Sequence, residues 1–111
     1  MNHPAPDLQV DLGRGLVLPN PVGLASGTAG YGFELEQLID LQWLGALYTK
    51  GTTPRPRAGN APPRVAETDG GMLNSIGLQN PGIDWVADHY APIFATWRIP
   101  AIVNVAGADV A

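Results

Sequence analysis

Cysteine is absent from this chain of 111 residues. That excludes disulfides, a thiolate nucleophile, thiolate zinc sites and iron–sulfur ligation by the chain itself. Positive charge is scarce: six lysines and arginines face ten acids, for a formal net charge of −4. With no basic cluster, nucleic acid and anionic membrane surfaces are poor partners. No apolar run approaches the ~18 residues of a membrane span. The start, Met1-Asn2-His3-Pro4-Ala5-Pro6, has no basic stretch followed by an apolar core, so no secretory signal is expected. A cytoplasmic setting is the expectation. His3 and His89 have no metal-ligand spacing and are expected to be solvated.

What is present points to a folded domain. Hydrophobic residues make up 45% of the chain and charged residues 14%, a balance that suits a globular protein rather than a disordered one. Fourteen glycines and eleven prolines are spread between apolar segments, a pattern of short elements joined by shaped loops. The only lysine, Lys50, closes the apolar run Leu44-Gly45-Ala46-Leu47-Tyr48-Thr49, whereas the other five cations are arginines. In parallel α/β sheets and barrels, ligands bind at the carboxyl ends of strands. A solvated or snorkelling lysine at a strand terminus is the plainer alternative.

Leu8 to Leu12 alternates, Gly13-Arg14-Gly15 turns, and Leu16-Val17-Leu18 follows, which predicts a small β-hairpin. Val22 to Ala25 reads as a short buried strand opening into Ser26-Gly27. Phe33, Leu35, Leu38, Ile39 and Leu41, with Glu34 and Glu36 near the start, predict a short helix. Ala46 to Thr49 is the next strand. From Gly51 to Gly71 no period appears, and a structureless loop of about 20 residues is functional or disordered. Pro81-Gly82 starts a helix carrying Ile83, Val86, Ala87, Tyr90, Ile93, Phe94 and Trp97, which Pro100 stops. Ala101 to Ala106 is a third buried strand. Strands alternating with helices, the strands unbroken by polar positions, mean parallel β with crossover helices.

Three strand ends, Ser26-Gly27, Lys50-Gly51 and Asn104, then present small or polar groups on one side. Ser26 and Gly27 suit the edge of a flat ring, or an ordinary βα turn that needs a glycine. Asn74-Ser75-Ile76-Gly77-Leu78 interleaves amide, hydroxyl and apolar groups, which suits a small planar ligand; equally, Ile76 and Leu78 can anchor a loop to the core. Asn104 lies within the third apolar strand, so either a neighbouring strand end or a ligand must satisfy its amide.

Asn20 to Gly27, Lys50-Gly51-Thr52-Thr53, Gly59-Asn60-Ala61-Pro62-Pro63-Arg64-Val65-Ala66-Glu67-Thr68, Met72 through Gly82, and Asn104-Val105-Ala106-Gly107 together resemble the amino-terminal part of a class 1 dihydroorotate dehydrogenase. The Pro-Arg-Val-Ala-Glu-Thr and Gly-Leu-Gln-Asn-Pro-Gly stretches are most like the catalytic subunit of the NAD-linked 1B type. The resemblance implies a (β/α)8 TIM barrel that binds FMN at its carboxyl face and oxidises dihydroorotate to orotate in pyrimidine biosynthesis. It implies flavin contacts by Ser26, Lys50, Gly51 and Asn104, and substrate contacts by Lys50, Asn74, Ser75, Ile76, Gly77 and Leu78. It implies too a homodimer, with a partner subunit that carries FAD and an iron–sulfur cluster. Relatives of this type use a cysteine base on a later loop, and a barrel takes roughly 200 residues or more. Residues 1–111 are therefore expected to be the first part of one truncated FMN-binding domain, inactive alone. The alternative is a non-catalytic remnant or small binding module that keeps these strand ends.

Overall fold

The computed structural model describes residues 4–108; the expectation for His3 lies outside them. An antiparallel hairpin comes first, pairing β1 (Val10–Asp11) with β2 (Val17–Leu18) in the register Val10 to Leu18. Asp11 Oδ1 accepts from the Gly13 N–H at 2.7 Å and starts the turn. The hairpin is thus where the alternation puts it.

The central sheet has three parallel strands in the order β3 (Gly23–Leu24), β4 (Ala46–Tyr48) and β7 (Ala101–Ile102). Gly23 stands opposite Ala46, and Leu47 opposite Ala101. Only β4 is buried, with Ala46 and Leu47 fully enclosed. The expected burial of the first and third strands is corrected: β3 and β7 flank β4, and Val22 beside β3 is 58% exposed. The third strand is also shorter than the apolar run predicts. Beyond Ile102 regular strand pairing stops and gives way to an isolated parallel bridge between Thr52 and Val105, so Asn104 lies past the strand rather than inside it.

The predicted helix over Phe33 to Leu41 does not form. Successive turns occupy this stretch, with Leu35 N–H bonded to the Gly32 carbonyl and Leu38 N–H to the Leu35 carbonyl, and a 3-10 turn follows at Leu41–Trp43. A run of fewer than ~12 residues nucleates poorly, and here Phe33, Leu35 and Leu41 pack inward from turns while Leu38 and Ile39 stay exposed. Leu41, Leu44, Leu47, Ala29 and Ile99 form the core, with Leu24, Leu35 and Trp97 against it.

The segment 51–71 is not structureless throughout. Its last part forms β5 (Val65–Thr68), which pairs antiparallel with β6 (Gly71–Asn74). Every residue of this hairpin is exposed, so no face had to be apolar, and the alternation that betrays a half-buried strand is missing. The predicted helix from Ile83 to Trp97 is two helices, α1 (Ile83–His89) and α2 (Ala91–Phe94). Pro92 sits in the first turn of α2, and its missing N–H prevents an unbroken ladder across Tyr90. Among the described residues no helix is long and apolar enough to cross a membrane.

Candidate active site

The three parallel strands deliver small polar residues to one end of the sheet. After β3 the chain turns at Ser26-Gly27, where the Thr28 N–H bonds the Ala25 carbonyl at 3.1 Å. Asn104, arriving beyond β7, donates from Nδ2 to Ser26 Oγ at 2.6 Å. Because β4 lies between these two strands, this bond spans the end of the central strand. The Asn104 backbone is held as well: its N–H donates to Thr49 Oγ1 at 3.2 Å, and its carbonyl accepts from the Thr52 N–H at 2.8 Å. A neighbouring strand end therefore takes one donor of the Asn104 side-chain amide. A hydroxyl has one donor and two acceptor sites, and an amide carbonyl two more. The exposed Ser26–Asn104 pair thus keeps capacity for a further partner.

Lys50 follows β4 directly. Its N–H donates to the Gly30 carbonyl at 2.8 Å, and its own carbonyl accepts from the hydroxyls of Thr49 and Thr52 at 3.1 and 3.0 Å. Thr49 and Thr52 are fully buried, and Tyr31 Oη meets Thr52 Oγ1 at 2.9 Å. Lys50 lines a cleft of about 440 Å³ with Tyr31, Glu34, Arg57, Trp85 and Tyr90 among its walls. Burial raises the Tyr90 phenol above its ordinary value, and the nearby Glu34 carboxylate and Tyr31 add to this. Gly51 is buried under Leu78: a β-carbon at Gly51 would lie 2.9 Å from Leu78 Cδ1 and 3.7 Å from Asn104 Nδ2.

The Asn74–Leu78 segment is gripped from one side. Asn60 Nδ2 donates to the Ser75 carbonyl at 3.1 Å and to Ser75 Oγ at 2.7 Å, while the Asn60 N–H reaches the Ile76 carbonyl at 3.0 Å. Gly77 passes so close, at φ +75°, that a β-carbon there would lie 2.6 Å from the Asn60 nitrogen. Arg64 locks the clamp, donating to the carbonyls of Asn60 and Ala58 at 2.6 and 2.9 Å and to Gln79 Oε1.

Of the residues singled out from the sequence, Ser26, Gly51, Leu78 and Asn104 come together at the sheet end. Asn74 and Ser75 do not join Lys50's cleft; they line a hollow of about 150 Å³ beside the β5–β6 hairpin. Asn80, Asn60 and the threonines around Lys50 belong to the site's framework without being singled out by the sequence pattern. Hydroxyls on both sides of a buried strand end were the available signal, since a buried polar group must find a partner. The donor set suits a flavin ring: a hydroxyl–amide pair with spare capacity stands beside a buried glycine and one apolar side chain, which matches a flat heterocycle with a polar edge.

The family described as dihydroorotate dehydrogenase matches residues 8–111. The chain is 51% identical over 100 residues to the catalytic subunit of dihydroorotate dehydrogenase B (NAD(+)) from Porphyromonas gingivalis, covering 90% of this chain and 33% of that one. It is 52% identical over 102 residues to the corresponding subunit from Geotalea uraniireducens, covering 92% and 33%. The chain thus spans about a third of the length of these relatives. A crystal structure of a dihydroorotate dehydrogenase from Eimeria tenella, in complex with ferulenol, superposes with a TM-score of 0.65 at 24% identity, over 90% of this chain and 28% of that one. The fold is accordingly the amino-terminal portion of a (β/α)8 barrel. With the family's sequence pattern running from the first hairpin past the third parallel strand, this chain belongs to the dihydroorotate dehydrogenase family.

Proposed function

We propose that this chain supplies the first three βα units of an FMN-dependent enzyme that oxidises dihydroorotate to orotate in pyrimidine biosynthesis. The observation that carries the reading is the convergence of Ser26, Gly51, Leu78 and Asn104 at the carboxyl end of the parallel sheet. In this reading residues 1–111 are part of a single barrel domain whose proton-abstracting base lies elsewhere in the enzyme. Ser26 and Asn104 hold the polar edge of the flavin, and Gly51 supplies a backbone contact to it. Lys50 sets a positive charge beside the ring and the substrate carboxylate. Asn74 to Leu78 are assigned the hydrogen-bonding and apolar contacts to the substrate ring; of these Leu78 stands at the sheet end over Gly51, while Asn74 and Ser75 stand beside the β5–β6 hairpin. Bound FMN supplies the hydride acceptor. The reading extends to a homodimer in the cytoplasm, served by a partner subunit with FAD and an iron–sulfur cluster, as expected for the 1B type.

The test is anaerobic addition of dihydroorotate to the full-length flavoprotein carrying this segment. Bleaching of the flavin absorbance, and a spectral perturbation by orotate, are the expected results. A flavin that stays oxidised and unperturbed under both additions overturns the reading.

A further inference from the structure

Asn80 is the most heavily used side chain among the described residues, and it touches neither strand end directly. It is 6% exposed. Its Oδ1 accepts from the Thr53 N–H at 3.1 Å and from the Gly82 N–H at 2.9 Å. Its Nδ2 donates to Thr53 Oγ1 at 2.9 Å and to the Leu78 carbonyl at 2.8 Å. The Asn80 backbone pairs both ways with Arg57, at 2.9 and 3.1 Å. One amide group thereby ties together the segment leaving Lys50 and Gly51, the end of the Asn74–Leu78 segment and the start of α1.

Leu78 shows what this tie holds in place. It has φ +57°, a left-handed conformation that a branched apolar residue adopts only when its surroundings impose it. Its carbonyl is bonded by Asn80, and its side chain lies over Gly51. Without the Nδ2 donor, the backbone at Leu78 is free to relax toward negative φ, carrying the side chain off Gly51 and loosening the segment behind it.

We infer that Asn80 is a positioning residue, which fixes the Asn74–Leu78 segment against the Lys50–Gly51 strand end and so sets the geometry in which substrate meets flavin. The inference rests on the proposed function above. Asn80→Asp tests it in the full-length flavoprotein, because the carboxylate keeps the acceptors for Thr53 and Gly82 and loses both donors. The expected result is a KM for dihydroorotate raised about 10-fold, with a smaller fall in kcat. FMN content should be retained, and the orotate-induced change in the flavin spectrum should be displaced to about 10-fold higher orotate. A lower melting temperature with KM and orotate affinity unchanged would mean that Asn80 only stabilises the fold, and would overturn the inference. If Asn80→Asp does not yield folded flavoprotein, Thr53→Val carries the test. It removes one acceptor of the Asn80 amide and should raise KM about 3-fold; an unchanged KM overturns the inference equally. A wild-type protein that neither oxidises dihydroorotate nor responds to orotate instead sinks the functional reading, which separates the two failures.

Discussion

The end of β4 concentrates three kinds of chemistry within four residues: buried hydroxyls at Thr49 and Thr52, one ammonium at Lys50, and a glycine packed under Leu78. The hydroxyls have a structural duty, since both bond the Lys50 carbonyl and so fix the backbone that carries the ammonium. On the proposed reading, Lys50→Ala in the full-length flavoprotein should slow flavin reduction and weaken substrate binding by about 10-fold or more, because a charge-assisted bond contributes about 1.5–3 kcal/mol. Unchanged single-turnover reduction would return Lys50 to a solvated strand terminus. Tyr90, in the same cleft, gives a pH handle. Its phenol is held protonated by burial, with Glu34 and Tyr31 adding to the effect. The stabilising contribution is complete below the ordinary phenol value near 10, and it is lost as pH rises further, because the unfolded chain ionises first. Melting temperature of the full-length protein, followed from about pH 8 to 11, should fall less steeply in Tyr90→Phe than in wild type. Parallel curves would remove Tyr90 from the alkaline transition.

At the scale of elements, the junction of β3 and β4 depends on a close approach of backbone to backbone. The Gly45 N–H donates to the Val22 carbonyl at 2.7 Å, and a β-carbon on Gly45 would overlap the Asn20 carbonyl oxygen. Asn20 is itself pinned, accepting from the Val22 N–H and donating to the Trp43 carbonyl, both at 3.0 Å. Gly45→Ala should therefore cost about 3 kcal/mol, read as a lower denaturation midpoint of the full-length protein. A midpoint within error of wild type would mean that the two strands separate without penalty. The β4 strand after Gly45 was legible because burial leaves an apolar run, and the β1–β2 hairpin was legible from alternation and its Gly-Arg-Gly turn. The β5–β6 hairpin was not, since both its faces meet solvent and nothing selects a period of two. Phe33 to Leu41 misled for the opposite reason: the spacing is helical, but tertiary packing onto Leu47 and Ile99 is reached through turns. At the site, Ser26, Gly51, Leu78 and Asn104 could be named individually from residue type and position. The bonds that arrange them run through Asn80 and Asn60, residues whose sequence signature is that of ordinary loop asparagines.

The molecule as a whole is open. A compact domain of 11.7 kDa should expose ~5,900 Å², and this chain exposes 8205 Å². Its radius of gyration is 17.0 Å, where a compact chain of this length has ~13 Å. Part of the excess lies at the edges of the parallel sheet, and part on the fully exposed β5–β6 hairpin. Among the described residues β3 and β7 each have a strand on one side only, and Val22 and Val105 beside them are 58% and 71% exposed. Parallel sheets persist when both faces are covered, and unpaired apolar edges are templates for further strands. Relatives three times as long have chain available to close such a sheet. The 111-residue chain produced by itself should therefore associate through these edges or remain molten, binding a dye specific for exposed apolar surface and showing no sharp thermal transition. Sedimentation over a wide concentration range, with calorimetry on the same samples, checks this. A concentration-independent monomer that melts sharply would show that the sheet is satisfied as it stands, and would favour a small self-contained binding module over a barrel segment.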